Sequence, residues 1–278
     1  MVEHSVPHRY SMKVIVPCYN EADRLQPNIF LVFTQKNPTY SFCFVDDGST
    51  DATAKVLHDM ETQCPNISVF SLSKNQGKAE AVRQGVLKAM DTDCDFVSYI
   101  DADLSAPLSV LPAMRHVCEE DKQLLLVSAA RVRMLGRNIR RSSIRHYLGR
   151  IFATMIAALF NLHVYDTQCG AKIFRNVPQV HKVFSTPFHS RWIFDVEIFL
   201  RLRELCLQKK MSLVQVAKEI PLPIWHDLGK SRMRWTDFFR VPNDILRIYS
   251  AYHRNPTIPQ IPPSAPPPPY QNTHDSQA

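Results

Sequence analysis

Short apolar runs alternate with helix-like segments through the first half of the chain, and this alternation restricts the fold more than any other feature. The runs, which are rich in β-branched and aromatic residues, cover residues 12–17, 41–45, 67–70, 95–100 and 124–129. Between them lie segments whose apolar residues recur at helical spacing, such as Ala79, Val82, Val86 and Met90. We therefore expect an α/β fold with a mostly parallel sheet and helices on both faces.

The alternation becomes irregular after residue 130. We expect, in order, a helix over 147–162, a strand over 172–174, a helix over 193–208, a strand over 214–220, a loop over 225–234 and an amphipathic helix over 235–252 that Pro242 interrupts. Hydrophobic residues make up 45% of the chain, enough for a substantial core. We expect one domain over 12–254, preceded by an N-terminal extension over 1–11.

The end of the chain has a different composition. Eight of the 20 prolines fall between Pro256 and Pro269, so we expect residues 255–278 to form a disordered, Pro-rich tail. Within it, Pro267–Tyr270 has the Pro-Pro-x-Tyr form that WW domains bind in an extended proline helix. A WW-domain partner and a tail without a partner both remain open.

The net charge of +7 is concentrated in one segment. Seven arginines and no acid fall between Arg131 and Arg150, which indicates an anionic partner such as nucleic acid, lipid or pyrophosphate. Seven singly scattered cysteines are typical of reduced thiols in a cytosol-facing protein. Residues 1–10 lack the apolar core of a signal peptide. Before the Pro-rich tail, the longest uncharged segment is 151–165, which is shorter than the ~20 apolar residues of a spanning helix, so no transmembrane helix is predicted.

Polar loops follow three of the predicted strands. They contain Tyr19, Asn20 and Glu21 after the first, Asp46 and Asp47 after the second, and Asp101, Ala102 and Asp103 after the fourth. The carboxyl ends of parallel strands meet at one edge of a sheet, where ligands bind. Asp101 and Asp103 could hold Mg²⁺ against a diphosphate, and Asp46 could accept from a base or ribose. Ordinary surface turns are the alternative for each acidic pair.

The segment Asn75–Lys78 has the properties of an anion site. It combines a glycine turn, a helix N-terminus and a lysine, although a plain N-cap would look similar. The chain contains neither a Gly-x-Gly-x-x-Gly fingerprint nor a P-loop.

Six motifs taken together resemble those of a known family. They are Pro17-x-Tyr19-Asn20-Glu21, Asp46-Asp47-Gly48-Ser49-x-Asp51, Asn75-x-Gly77-Lys78, Asp101-x-Asp103, Asp166-x-Gln168-Cys169-Gly170-x-Lys172 and Arg191-Trp192-x-Phe194-Asp195-x-Glu197. This set resembles the family 2 glycosyltransferases of the GT-A fold. More narrowly, it is similar to the dolichyl-phosphate sugar transferases, and to their β-glucosyl branch in particular.

The resemblance implies a role for each matching residue. The residues implied in nucleotide-sugar binding are Pro17, Tyr19, Glu21, Asp46, Asp47, Lys78, Asp101, Ala102, Asp103, Gln168 and Trp192. Asp101 and Asp103 would bind the cofactor, Mg²⁺ or Mn²⁺. The residues implied in catalysis are Asp195, Arg131, Lys172 and Arg191, and those implied in acceptor or diphosphate binding are Arg131, His226, Lys230, Ser231 and Arg232.

Two of these roles have structural alternatives. Asp195 is a candidate base or sugar-positioning acid, but it could instead be an N-cap. His226 could contact the diphosphate or be a structural histidine. Cys169 is not expected to act as a nucleophile, because direct displacement would invert the sugar.

The expected activity is transfer of a hexose, best matched by glucose from UDP-glucose, to dolichyl or polyprenyl phosphate. A mannosyltransferase using GDP-mannose and a non-catalytic adaptor with a decayed transferase fold are the alternatives. The basic residues beside 147–162 and within 235–254 favour a peripheral position on an anionic membrane, such as the cytosolic face of the endoplasmic reticulum. Solvated arginines on helices packed against the sheet are the alternative. No nucleic-acid partner is expected.

Overall fold

A computed structural model describes residues 10–140, 143–226 and 235–253 of the protein. Its strands are β1 Met12–Cys18, β2 Tyr40–Asp46, β3 Ile67–Ser71, β4 Phe96–Ile100, β5 Leu126–Ala130, β6 Asn138–Arg140, β7 Ala171–Arg175, β8 Ala217–Pro221 and β9 Ile224–His226. Its helices are α1 Pro27–Lys36, α2 Thr53–Gln63, α3 Lys78–Met90, α4 Val110–Glu120, α5 Ser143–Phe160, α6 Pro178–Phe184, α7 Phe194–Gln208, α8 Leu213–Val216 and α9 Trp235–His253.

The main sheet has seven strands in the order β3-β2-β1-β4-β7-β5-β8. β1 pairs in parallel with β2 on one side and with β4 on the other. The exception to the parallel arrangement is β7, which lies antiparallel between β4 and β5. Because β2, β1 and β4 are neighbours, the loops after all three reach the same edge of the sheet.

Side chains alternate between the two faces of the sheet and build a core on each. Along β1, Ile15 belongs to the core on the side of α3, α6 and α7, while Val14 and Val16 belong to the core on the side of α1, α2 and α4. All three are completely buried. A sheet covered by helices on both faces confirms the predicted α/β class.

Two local predictions were wrong. The predicted strand 214–220 begins as the one-turn helix α8, because Ser212 and Gln215 form a capping box there. The predicted loop 225–234 starts within strand β9, which pairs with β6. Helix α2 has no side-chain cap, and the hydroxyl of Ser49, in the loop before it, accepts a hydrogen bond from the Asn20 backbone.

Helix α9 continues through Pro242 rather than stopping there. A proline inside a helix costs roughly 3 kcal/mol. Burial of Ile248 and Tyr252, with Ile245 packed against the same core, offsets this cost. No helix among the described residues is both long and apolar enough to cross a bilayer. The predicted tail, including Pro267–Tyr270, lies outside the described residues.

Candidate active site

A cavity of about 890 Å³ opens at the carboxyl ends of β1, β2 and β4. The residues that line it and that the sequence had singled out are Pro17, Tyr19, Glu21, Asp47, Lys78, Asp101, Ala102, Asp103, Arg191 and Trp192. The predicted convergence of the three strand-end loops is therefore observed. Polar and charged side chains dominate the lining, which suits a highly charged ligand.

The loop after β1 places Glu21 at the cavity wall. Asn20 takes a left-handed conformation, with φ of 54°, and its side-chain oxygen accepts hydrogen bonds from Thr50 N and Asp51 N. Asparagine tolerates this conformation better than most residues. Glu21 then meets Arg24 through two hydrogen bonds of 2.8 and 2.6 Å.

The two acids after β2 are in different environments. Asp46 is buried and does not line the cavity; its Oδ1 accepts a hydrogen bond from Ser49 N at 3.0 Å. Asp47 accepts from Gln76 N at 2.6 Å and from Gly77 N at 2.8 Å. Burial raises the pKa of Asp47 despite these bonds. Asp47 therefore anchors the loop that begins α3, which has no side-chain N-cap of its own.

The two acids after β4 both face the cavity. Lys78 Nζ lies 2.5 Å from Asp101 Oδ1, and Asp103 Oδ1 accepts a hydrogen bond from Ser105 N at 3.0 Å. Burial alone would lower the pKa of Lys78, but the carboxylates of Asp101 and Asp195 outweigh it and raise that pKa. A lysine is thus held beside the acidic pair.

Gly170 makes room for the Asp101 carboxylate. A Cβ atom added at Gly170 would collide with the carboxylate oxygens and carbon of Asp101. The Asp101 amide also donates to the Gly170 carbonyl at 3.1 Å. Two carboxylates at one cavity wall are the hard oxygen ligands that Mg²⁺ and Mn²⁺ take, with substrate phosphate completing the shell. The residues present therefore fit a divalent cation.

Asp195 and Lys172 lie behind the cavity wall and do not line it. Lys172 is completely buried, and its ammonium lies 2.6 Å from Asp195 Oδ1 and 2.7 Å from the Cys169 carbonyl. The Tyr99 hydroxyl also donates to Asp195, and burial together with that carboxylate raises the pKa of Tyr99. The N-cap alternative for Asp195 was wrong, because Ile193 is the cap residue and Asp195 lies in the first turn of α7. Lys172 is therefore not exposed to the cavity.

Arg131 is also held away from the cavity. Its guanidinium makes two hydrogen bonds with the Asp166 carboxylate, of 2.6 and 2.7 Å, and its charge lies over the Trp225 ring. Burial would raise the pKa of Asp166, but Arg131 outweighs it and lowers that pKa to about 2. The pair closes the loop between α5 and β7 onto the end of β5.

The other predicted residues occupy three kinds of position. Arg191 lines the cavity and holds Asn75 and the Gln76 carbonyl, whereas Gln168 lies off the cavity wall. His226 ends β9, and nothing is described of its side chain. Lys230, Ser231 and Arg232 lie outside the described residues. Burial raises the pKa of the Cys169 thiol to about 12, in keeping with its predicted lack of nucleophilic character.

Sequence reasoning missed one wall of the cavity. That wall is formed by His189, Arg240, Asn243, Asp244 and Arg247. Four of these residues are on α9, where spacings of three and four residues place them on one face. That spacing was the available signal, but the basic residues there had been assigned to a membrane surface.

The fold and the site define the class of protein. A Rossmann-like sheet with one antiparallel strand, ending in a charged cavity with an acidic pair after β4, is the arrangement of a GT-A glycosyltransferase. The family model for glycosyl transferase family 2 matches residues 13–178, so the chain belongs to this family and is a glycosyltransferase. The predicted resemblance is confirmed.

Curated relatives share most of the chain. Dolichyl-phosphate beta-glucosyltransferase of Saccharomyces cerevisiae is 28% identical over 271 residues, covering 90% of this chain and 77% of the relative. The protein of the same name in Homo sapiens is 27% identical over 239 residues, covering 79% and 72%.

Solved structures agree with the fold. Glucosyl-3-phosphoglycerate synthase from Mycobacterium tuberculosis, in complex with Mn²⁺, UDP and glucosyl-3-phosphoglycerate, has a TM-score of 0.62 at 18% identity and covers 88% of this chain and 80% of its own. The mannosyltransferase PcManGT from Pyrobaculum calidifontis, in complex with GDP-Man and Mn²⁺, has a TM-score of 0.61 at 16% identity, covering 91% and 67%. At these low sequence identities, the structural similarity establishes a shared fold only.

Proposed function

We propose that the protein is a metal-dependent, inverting glucosyltransferase that moves glucose from UDP-glucose to dolichyl phosphate or a related polyprenyl phosphate. The observation that carries the proposal is the convergence of Glu21, Lys78, Asp101 and Asp103 on one cavity. The sugar and acceptor are those in the names of the yeast and human relatives. The complex of the mycobacterial synthase with Mn²⁺ and UDP supports the metal and the nucleotide.

Donor binding is assigned to the β1, β2 and β4 walls. Tyr19 and Glu21, which line the cavity, would contact the nucleoside, and Asp101 and Asp103 would hold the divalent cation. The bound cation supplies positive charge that stabilises the leaving nucleoside diphosphate. Lys78, which lies beside Asp101, supplies a second positive charge near the diphosphate oxygens.

The chemistry of the acceptor removes the need for a strong base. A phosphate monoester has a second pKa of roughly 6, so it is largely dianionic at neutral pH. Its oxygen can displace the diphosphate directly and leave a β-linked product from an α-linked donor. Asp195 is held behind the wall by Lys172 and Tyr99. We therefore assign it a positioning role in place of the role of base.

A lipid acceptor requires contact with a bilayer. The loop before β6 carries Met134, which is half exposed, and Leu135, which is fully exposed, between the exposed residues Arg133 and Arg137. Apolar and basic side chains together suit an anionic membrane surface. We place the protein peripherally on such a surface, with the cytosolic face of the endoplasmic reticulum as the site where dolichyl phosphate would be used.

Transfer assays with purified full-length protein test the proposal. Dolichyl phosphate is incubated with UDP-glucose or GDP-mannose, each with Mn²⁺ or with EDTA. We expect glucose transfer that depends on the metal, and a fall of about 100-fold or more in Asp103→Asn, because the cation loses a ligand. Asp93→Asn, which changes an exposed acid away from the cavity, is the matched control.

The outcomes separate the alternatives. Preference for GDP-mannose would replace the glucosyltransferase with a mannosyltransferase. Absence of turnover with either donor would favour an adaptor. Full activity in Asp103→Asn or in EDTA would refute the metal assignment.

A further inference from the structure

His189 is a cavity residue that the proposed mechanism does not use. It lies between α6 and α7, lines the cavity, and has 44% of its side chain exposed. Its ring is held in place from behind: Nδ1 lies 2.8 Å from Oε2 of Glu197. Since a carboxylate only accepts hydrogen bonds, Nδ1 carries the hydrogen. Nε2, the second ring nitrogen, has no hydrogen-bond partner among the described residues.

Glu197 holds the loop between α6 and α7 through hydrogen bonds with His189 and Ser190. It is completely buried, and its Oε1 accepts hydrogen bonds from His189 N at 2.7 Å and from Ser190 N at 3.1 Å. Arg201 and the Tyr252 hydroxyl each lie 3.4 Å from Oε2. A buried carboxylate is tolerated only with such a complete set of partners. The result is an imidazole fixed in one orientation at a cavity wall.

Helix α9 places further positive charge on the same wall. Arg240 and Arg247 line the cavity with His189, and the Ser190 hydroxyl ties this loop to α9 through a 2.7 Å bond to Asp244. That bond occupies one oxygen of Asp244, the one acid among the α9 side chains that the structure describes at this wall. The opposite walls carry Asp101, Asp103 and Lys78. The proposed function assigns these residues to the donor diphosphate and its cation.

We propose that His189, supported by Glu197, binds the phosphate of the acceptor together with Arg240 and Arg247. This inference rests on the proposed function, which requires a second anion in the cavity besides the donor diphosphate. Nε2 donates to a phosphate oxygen when it carries a second ring proton and accepts from a phosphate hydroxyl when it does not, and in both cases the bond from Nδ1 to Glu197 keeps the ring oriented. Arg131, to which the sequence had assigned the acceptor phosphate, and Lys172, which it had assigned to catalysis, are held in other contacts.

Binding measurements with two probes test the proposal. Geranyl phosphate represents the acceptor monoester, and UDP with Mg²⁺ represents the donor side. His189→Asn keeps a donor at the position of Nδ1 but removes Nε2, so the bond to Glu197 can survive. Calorimetry should give about tenfold weaker binding of geranyl phosphate to this variant, with binding of UDP and Mg²⁺ unchanged. Arg247→Met should have a similar selective effect.

The control is His181→Asn, which changes a histidine of α6 that does not line the cavity. It should bind both probes as the wild type does. In ¹⁵N-histidine-labelled wild type, one Nε2 resonance that is absent from His189→Asn should shift with geranyl phosphate and stay in place with UDP and Mg²⁺. A role confined to folding would leave that resonance unmoved.

Two outcomes would overturn the assignment: unchanged geranyl phosphate binding in His189→Asn, or an equal loss of UDP binding. Failure of the proposed function gives a different pattern. The wild type would then transfer no sugar to dolichyl phosphate, while geranyl phosphate would still move the His189 resonance. Conversely, normal transfer with an unchanged acceptor KM in His189→Asn would leave the proposed function standing and remove the subsite.

Discussion

At the scale of single residues, the position of Asp101 in the acidic pair requires that residue 170 be glycine. The Asp101 carboxylate occupies space that a Cβ on residue 170 would fill. Gly170→Ala must therefore displace Asp101 from its position beside Asp103. We expect Mn²⁺ in the presence of UDP to bind about tenfold or more weakly, because a displaced ligand is lost to the metal. Electron paramagnetic resonance of Mn²⁺ gives this affinity directly.

Gly85→Ala is the matched control for that change. Its Cβ would collide with Ile15 and Val45, so it strains the core under α3 and leaves the cavity untouched. Overpacking of this kind costs about 1–3 kcal/mol. Gly85→Ala should lower the melting temperature and keep the metal affinity of the folded protein. Equal metal affinity in Gly170→Ala and the wild type would contradict the proposed placement of the metal.

The Asp195–Lys172 pair makes a prediction about stability. Removing one partner of a buried ion pair costs about 3–5 kcal/mol, because the other charge stays buried without compensation. Asp195→Asn should therefore lower the free energy of unfolding, measured in urea, by about that amount. The double variant Asp195→Asn with Lys172→Met removes both charges and should recover part of the loss. An unchanged urea midpoint in Asp195→Asn would show that the pair contributes little.

At the scale of elements, the order of strands and helices could be predicted from the sequence over residues 12–129. Apolar periodicity sets these elements, and each is long enough to show its period. The three strand-end loops follow from the same pattern, because a parallel sheet brings them together. Shorter elements gave no such signal: α6 has 7 residues and β6 and β9 have 3 each.

The direction of β7 could not be predicted either, since it depends on pairing with β4 and β5 rather than on local sequence.

The burial of individual side chains could not be predicted from the sequence for the same reason. Asp46 and Asp47 are adjacent and identical in type, yet only Asp47 reaches the cavity. Lys172 is of a residue type that often binds phosphate, but tertiary contacts bury it against Asp195. Burial and orientation depend on the whole fold, whereas motif spacing reports only proximity.

The pair of Arg131, at the end of β5, and Asp166, before β7, makes stability depend on pH. The pKa of Asp166 falls from 3.8 to about 2 on folding, which is worth about 2–3 kcal/mol at neutral pH. Since the folded-state pKa is the lower one, this contribution is complete above about pH 4 and is lost as the pH falls towards 2. Asp166→Asn should be destabilised at pH 7, and its deficit relative to the wild type should shrink through that window.

Urea unfolding of both proteins at a series of pH values measures this deficit. Asp121→Asn, at the exposed start of the loop before β5, serves as the control and should follow the wild type. A deficit that stays constant from pH 7 to pH 2 would mean that Asp166 contributes through packing rather than through its charge.

At the scale of the whole molecule, the positive charge is divided between two tasks. Arg240 and Arg247, first assigned to a membrane surface, line the cavity, and Arg131 is paired inside the fold. Arg133 and Arg137 are exposed basic residues that flank the fully exposed Leu135. We therefore expect any membrane attraction to depend on this loop more than on the net charge of +7.

Liposome co-sedimentation tests that division. The protein should pellet with vesicles containing phosphatidylserine at low salt and be released as salt rises, because each basic residue contributes about 1 kcal/mol near an anionic surface. Leu135→Glu should weaken pelleting about tenfold, since it removes apolar contact and adds repulsion. Val214→Glu places the same charge at a residue of α8 that is 67% exposed, and should pellet as the wild type does. Both positions are exposed, so neither change disturbs the core. Equal pelleting of the two variants would show that the loop has no special part in binding, and wild type remaining in the supernatant with anionic vesicles would refute peripheral attachment.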